Sequence, residues 1–82
     1  MNVRVLFFAT CRTVFGCKES DVPLADGATV KDLKKALEKR VPQWTQIQSK
    51  VSIAVNAEYA TDEKVLCDGD EVALIPPVSG GE

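Results

Sequence analysis

The best helix signal in this chain is a stretch that repeats its apolar residues at helical spacing. Val30, Leu33, Leu37 and Val41 fall at i, i+3, i+7 and i+11, which lines them along one face of a helix. Thr29 is suited to cap its start, and Asp32, three residues on, completes an acidic variant of the capping box. Pro42 disfavours helical backbone at Val41 and sets the stop. Lys34, Lys35, Glu38 and Lys39 fall elsewhere around the helix, a solvated face whose late cations suit the helix dipole. One helix set among strand-like runs predicts a two-layer α+β domain.

The flanking stretches supply the strands. Val3-Arg4-Val5-Leu6-Phe7-Phe8 is β-branched and aromatic, and the charge on Arg4 turns Val3, Val5 and Phe7 toward the core. Phe8 is thereby left on the more exposed face, an anomaly for so large an apolar residue. Gly16 marks a turn region, and Glu19–Leu24 reads as a weaker second strand placed at a sheet edge by Pro23, which cannot donate to a ladder. Residues Trp44–Lys50 read as a loop or short helix. Val51–Val55 alternates as a third strand, Asn56-Ala57 begins a turn, and Tyr59 opens a short extra strand. Cys67-Asp68-Gly69-Asp70 is a turn with Gly69 available for positive φ, and Glu71–Ile75 is the last strand. The order is β-β-α-β-β; spacing alone does not choose the strand order, but placing the last strand beside the first, in parallel, gives the β-grasp or ubiquitin-like arrangement, a mixed sheet packed on one main helix.

Eighty-two residues suffice for one core and not for two. The net charge of −2, with lysines and arginines interleaved with Asp32 and Glu38, argues against a nucleic-acid partner. No apolar run approaches the roughly 20 residues needed to span a membrane. The N-terminus runs straight into a strand, which is not the layout of a secretory signal. Cys11, Cys17 and Cys67 are therefore expected as free thiols in a reducing cytoplasm, Cys11 and Cys67 as small, partly buried residues. With no histidine and no C-x-x-C pair, neither a metal site nor a bound cofactor is expected. No catalytic constellation is visible, which disfavours a stand-alone enzyme.

The chain ends PPVSGGE. Pro76 and Pro77 favour an extended exit from the sheet, so residues 1–75 are expected to form the domain and 76–82 an extended flexible tail. Ser79-Gly80-Gly81 has almost no side-chain volume and can enter a channel too narrow for ordinary residues. Such an ending is also compatible with simple slack.

Read together, DGDEVALIPPVSGG, the opening VRVLFFA and the VNAEY after the third strand resemble the small-subunit family of molybdopterin synthase over essentially the whole chain. The resemblance implies a β-grasp sulfur carrier. It implies that the Gly81 carboxylate is adenylated by an E1-like enzyme using ATP, then converted to a thiocarboxylate with sulfur from a donor protein. Pro76, Pro77, Val78, Ser79 and Gly80 would insert into the large catalytic subunit, where sulfur passes to cyclic pyranopterin monophosphate. The resemblance also implies a heterotetramer of two small and two large subunits, and matches Phe8, Tyr59 and Ile75 to a hydrophobic contact surface. By alternation Phe8 and Ile75 share a sheet face, although these three residues could instead complete a core.

Family members end at the second glycine, whereas here Glu82 follows and leaves Gly81 without a free carboxylate. Trimming by a peptidase, a cloning remnant or longer chain, and an inactive form are the three explanations. Competing functions are a sulfur carrier for thiamine or transfer-RNA thiolation, and a non-catalytic β-grasp interaction module.

Overall fold

The computed structural model describes residues 1–77. Its strands are β1 (Asn2–Phe7), β2 (Glu19–Pro23), β3 (Ser52–Val55), β4 (Glu58–Tyr59) and β5 (Glu71–Ile75). Its helices are α1 (Thr10–Phe15), α2 (Val30–Arg40) and α3 (Trp44–Ile47), the last followed by a 3-10 turn at Gln48–Lys50. The sheet order is β2-β1-β5-β3-β4, with β5 parallel to β1 and antiparallel to β3. This is the mixed β-grasp sheet expected from the sequence, with Pro23 at the end of an edge strand.

Alternation divides the sheet into two faces. Val3, Val5, Phe7, Val22, Ile53, Val55, Val72 and Leu74 point inward and are buried. They join Val30, Leu33 and Leu37 of α2 in one apolar cluster that also takes in Cys11, Trp44 and Leu66. Each leucine of α2 is at most 1% exposed, so truncating either to alanine would cost about 2–5 kcal/mol. Leu6, Ala73 and Ile75 on the other face are only half-buried, and Tyr59 is exposed, because no helix covers them.

The start of α2 shows how the long β4–β5 connection is held. A helix leaves its first N–H groups without intrahelical partners. Here Thr29 N–H donates to Asp32 Oδ2 (2.9 Å) and Asp32 N–H to Thr29 Oγ1 (3.4 Å), forming the expected capping box. Val30 N–H donates to the Lys64 carbonyl (3.0 Å) and Lys31 N–H to that of Asp62 (3.1 Å). Lys34 Nζ donates to Asp62 Oδ1 at 2.7 Å, and Leu66 N–H to the Ala28 carbonyl at 2.8 Å, which seats Leu66 in the core. The connection is thus fastened to the helix without regular structure of its own.

Three details depart from the sequence reading and one decides an alternative it left open. The turn expected near Gly16 is preceded by α1, whose apolar face of Cys11, Val14 and Phe15 is confined to six residues, too short for a helical period to stand out. Gly16 caps that helix in the left-handed conformation (φ 77°). Of the two options left open for Trp44–Lys50, loop or short helix, the chain takes the helix, with Trp44 fully buried against Phe15, ring centroids 5.7 Å apart. Cys67 is exposed rather than partly buried, because its turn faces solvent, whereas Cys11 is buried and its desolvated thiol has a raised pKa. Finally, β1 ends at Phe7, one residue short of the expected boundary, so Phe8 lies beyond the ladder.

Candidate functional site

Strand β5 lies in the middle of the sheet, and the chain beyond it leaves between β1 and β3. The alternation of β5 continues for one residue: Pro76 is buried and Pro77 exposed, so the packed body reaches Pro76. Val78, Ser79, Gly80 and Gly81, with Glu82, lie outside the described residues.

The pairing register fixes what surrounds that exit. Leu6 pairs with Ala73, Ala73 with Ala54, and Ala54 with Tyr59, making one row across four strands on the outer face. The next row toward the exit holds Ile75 opposite Ser52. Phe8 follows the Phe7–Leu74 pair, beside the end of β5, and is 39% exposed. Phe8 therefore stands beside the exit, next to Ile75, the last residue of β5. Tyr59, 76% exposed, sits on the same face but two strands from β5, a lateral distance of about 10 Å. The other half of the face is polar, with Arg4 and Glu19 forming an exposed ion pair at 3.6 Å. Such pairs contribute little stability, but this one marks where the apolar surface stops.

The opposite end of β5 is fastened by the residues of the DGDE run. Asn2 N–H donates to Asp68 Oδ1 (2.8 Å), and Gly69 N–H to the Asn2 carbonyl (2.8 Å). Gly69 has φ 85°, a conformation that favours glycine. Asp70 accepts from Asn56 Nδ2 (3.0 Å) and from Cys67 N–H (2.8 Å), which hold its carboxyl below the usual aspartate range. Asn56 Oδ1 in turn accepts from Glu71 N–H (3.1 Å). Asp68 is thus tied to β1, while Asp70 and Glu71 are tied to the β3–β4 turn. These bonds set the register of β5, and with it the position at which the tail departs. The motif acts on the site from about five residues away, roughly 16 Å along the strand.

The β3–β4 turn places Tyr59. Asn56 and Ala57 have φ 50° and 72°, the two positive values required by a tight hairpin turn of the primed kind. Asparagine tolerates this conformation, whereas alanine is strained in it.

One residue that the sequence did not single out also belongs to this region. Arg12, on the exposed side of α1, donates its Nε–H to the Phe7 carbonyl at 3.0 Å. Its guanidinium lies 6.0 Å from the Phe8 ring centroid, within reach of a cation–π contact. Nothing in the local pattern signals this, because the contact depends on the unpredicted α1 and on the chain reversal at Ala9 (φ 47°).

Comparison with known proteins adds identity to this geometry. The ThiS family matches residues 5–81. The molybdopterin synthase sulfur carrier subunit of Chlamydomonas reinhardtii is 41% identical, the alignment covering 99% of this chain and 100% of that one. SAMP1 from Haloferax volcanii superposes with a TM-score of 0.88 at 29% identity, covering 99% and 100% of the two chains. A chain from the complex of subunits 1 and 2 of the Helicobacter pylori molybdopterin-converting factor gives 0.71 at 26% identity, with coverage of 99% and 100%.

Proposed function

The chain belongs to the ThiS family, and from that premise we infer that it is the sulfur carrier subunit of molybdopterin synthase. The carrier name is shared by relatives that align along nearly the whole chain, which favours molybdopterin over thiamine or transfer-RNA thiolation. The structural observation that carries the reading is the exit of the chain from a central strand that ends in the half-buried Ile75, with the exposed Phe8 at the end of the neighbouring strand β1.

In this function Glu82 has first to be absent, and Gly81 then provides the reacting carbon. Attack of its carboxylate on the α-phosphorus of ATP, in an E1-like partner, yields an acyl-adenylate and releases pyrophosphate. Sulfide-level sulfur from a donor protein then attacks the acyl carbon, displaces AMP and leaves a terminal thiocarboxylate. The apolar face, through Phe8, Tyr59 and Ile75, docks on the large subunit, and Pro76 to Gly80 lead the terminus into that subunit's active site. There the thiocarboxylate sulfur passes to cyclic pyranopterin monophosphate, water cleaving the acyl carbon–sulfur bond and returning Gly81 as a carboxylate, and two such deliveries complete the dithiolene. A large-subunit partner is supported by the similarity to a chain of the Helicobacter pylori complex. Two carriers and two large subunits are the proposed assembly, working in the cytoplasm. Among the described residues no helix is long and apolar enough to cross a membrane.

The test is reconstitution. A chain ending at Gly81, charged by the activating enzyme and mixed with the large subunit and precursor, is expected to yield molybdopterin. Removing Gly80 and Gly81 is expected to abolish the product. Equal product from the shortened chain would make the protein an interaction module instead.

A further inference from the structure

We propose that Arg12 is a specificity contact of the docking face, poised to pair with a carboxylate side chain on the large subunit. The inference rests on the carrier reading above, which supplies the partner.

Three features of the structure lead to it. First, the guanidinium is fixed in place. The chain reverses at Ala9 (φ 47°, ψ −120°), and the N–H groups of Cys11 and Arg12 donate to the carbonyls of Phe8 and Ala9 at 2.9 and 3.0 Å. This returns the side chain to the end of β1, where Nε–H is engaged by the Phe7 carbonyl at 3.0 Å. Second, the two Nη groups make no hydrogen bond and no ion pair among the described residues. An arginine held by Nε retains its terminal fork, the geometry that matches a carboxylate with two parallel bonds. Third, the cation cannot be avoided by a partner. With its charged carbon 6.0 Å from the centre of the Phe8 ring, any surface that buries Phe8 also removes water from Arg12. An unpaired cation under such a surface would oppose docking, so a productive partner supplies the opposite charge. Surfaces that are merely apolar are thereby rejected, which is how a charge beside an apolar patch generates selectivity.

Arg12 stands at the root of the tail and touches no reacting atom, so it is a recognition residue and not a catalytic one. The experiment measures association of the intact chain with the large subunit across a series of salt concentrations, for the wild type, Arg12→Gln and Arg12→Lys. Thermal unfolding of each variant is recorded alongside. Arg12→Gln is expected to weaken binding by about 30-fold or more and to flatten the dependence of the association rate on ionic strength. Arg12→Lys loses the Nε–H bond to Phe7 just as glutamine does but keeps the charge. It is expected to retain the salt dependence while recovering only part of the affinity. Equal impairment of the two variants would assign Arg12 a purely structural role and overturn the proposal. So would an Arg12→Gln chain that binds within about twofold of wild type with an unchanged salt slope. Failure of the wild-type chain to bind would instead strike the carrier reading itself, and the inference with it.

Discussion

Replacing Phe8 or Tyr59 by alanine separates the docking role of the outer face from any role in folding, and the structure gives the sizes to expect. A phenylalanine side chain carries about 200 Å² of surface, and Phe8 is 39% exposed, so docking can bury about 80 Å² more of it. At about 25 cal/mol per Å² this contributes about 2 kcal/mol, or about 30-fold in Kd. Tyr59 is 76% exposed and can bury about 150 Å², an upper limit of about 4 kcal/mol if its hydroxyl finds a partner. Full contact across the face therefore predicts a larger loss for Tyr59→Ala than for Phe8→Ala. Contact confined to the tail exit predicts the reverse, since Tyr59 lies two strands away. Tyr59 is mostly exposed, so Tyr59→Ala should unfold within about 1 kcal/mol of wild type, whereas Phe8→Ala also gives up the part of Phe8 already buried, about 120 Å², and loses up to about 3 kcal/mol. Titration calorimetry against the large subunit measures the affinities, and chemical denaturation checks the fold. Both variants binding within twofold of wild type would refute the docking assignment, as would losses of affinity that merely follow losses of stability.

Two further outcomes concern the framework behind that face. Asp70 has a lowered pKa through its bonds from Asn56 and Cys67, so its stabilisation is fully present above the unfolded-state value and is lost as pH falls through the folded one. Unfolding followed below about pH 4 should show this loss in the wild type and a weaker dependence in Asp70→Asn, which at neutral pH is less stable by about 1–2 kcal/mol. Ala57→Gly relieves a strained positive φ in the β3–β4 turn and should raise stability by about 1 kcal/mol in the same assay; a decrease would contradict the strain argument.

Local chemistry made much of this legible in the sequence. Thr29 and Asp32 are three residues apart, so the cap of α2 depends on nothing distant. Glu71–Ile75 alternates between clear stops and forms a strand with those bounds. The exposure of Phe8 followed from alternation and the charge on Arg4. The misses each needed tertiary information. Thr10–Phe15 is only six residues long, too short for the spacing of Cys11, Val14 and Phe15 to stand out, and Trp44 packs against Phe15 of that same helix. The placement of Arg12 beside Phe8 turns on the backbone of Ala9, an alanine in a conformation its type rarely adopts. DGDE was legible as a turn and a family signature, but its bonds to Asn2 and Asn56 required the assembled sheet.

The sulfur chemistry at Gly81 is tested most directly by intact-mass spectrometry. The chain ending at Gly81 and the chain carrying Glu82 would each be incubated with the activating enzyme, ATP and a sulfur donor. A carrier ending at Gly81 gains the mass difference between sulfur and oxygen at its C-terminus, while the chain with Glu82 is unchanged because its Gly81 carbonyl is tied up in a peptide bond. The same gain on a chain that still carries Glu82, or none on the chain ending at Gly81, would contradict it.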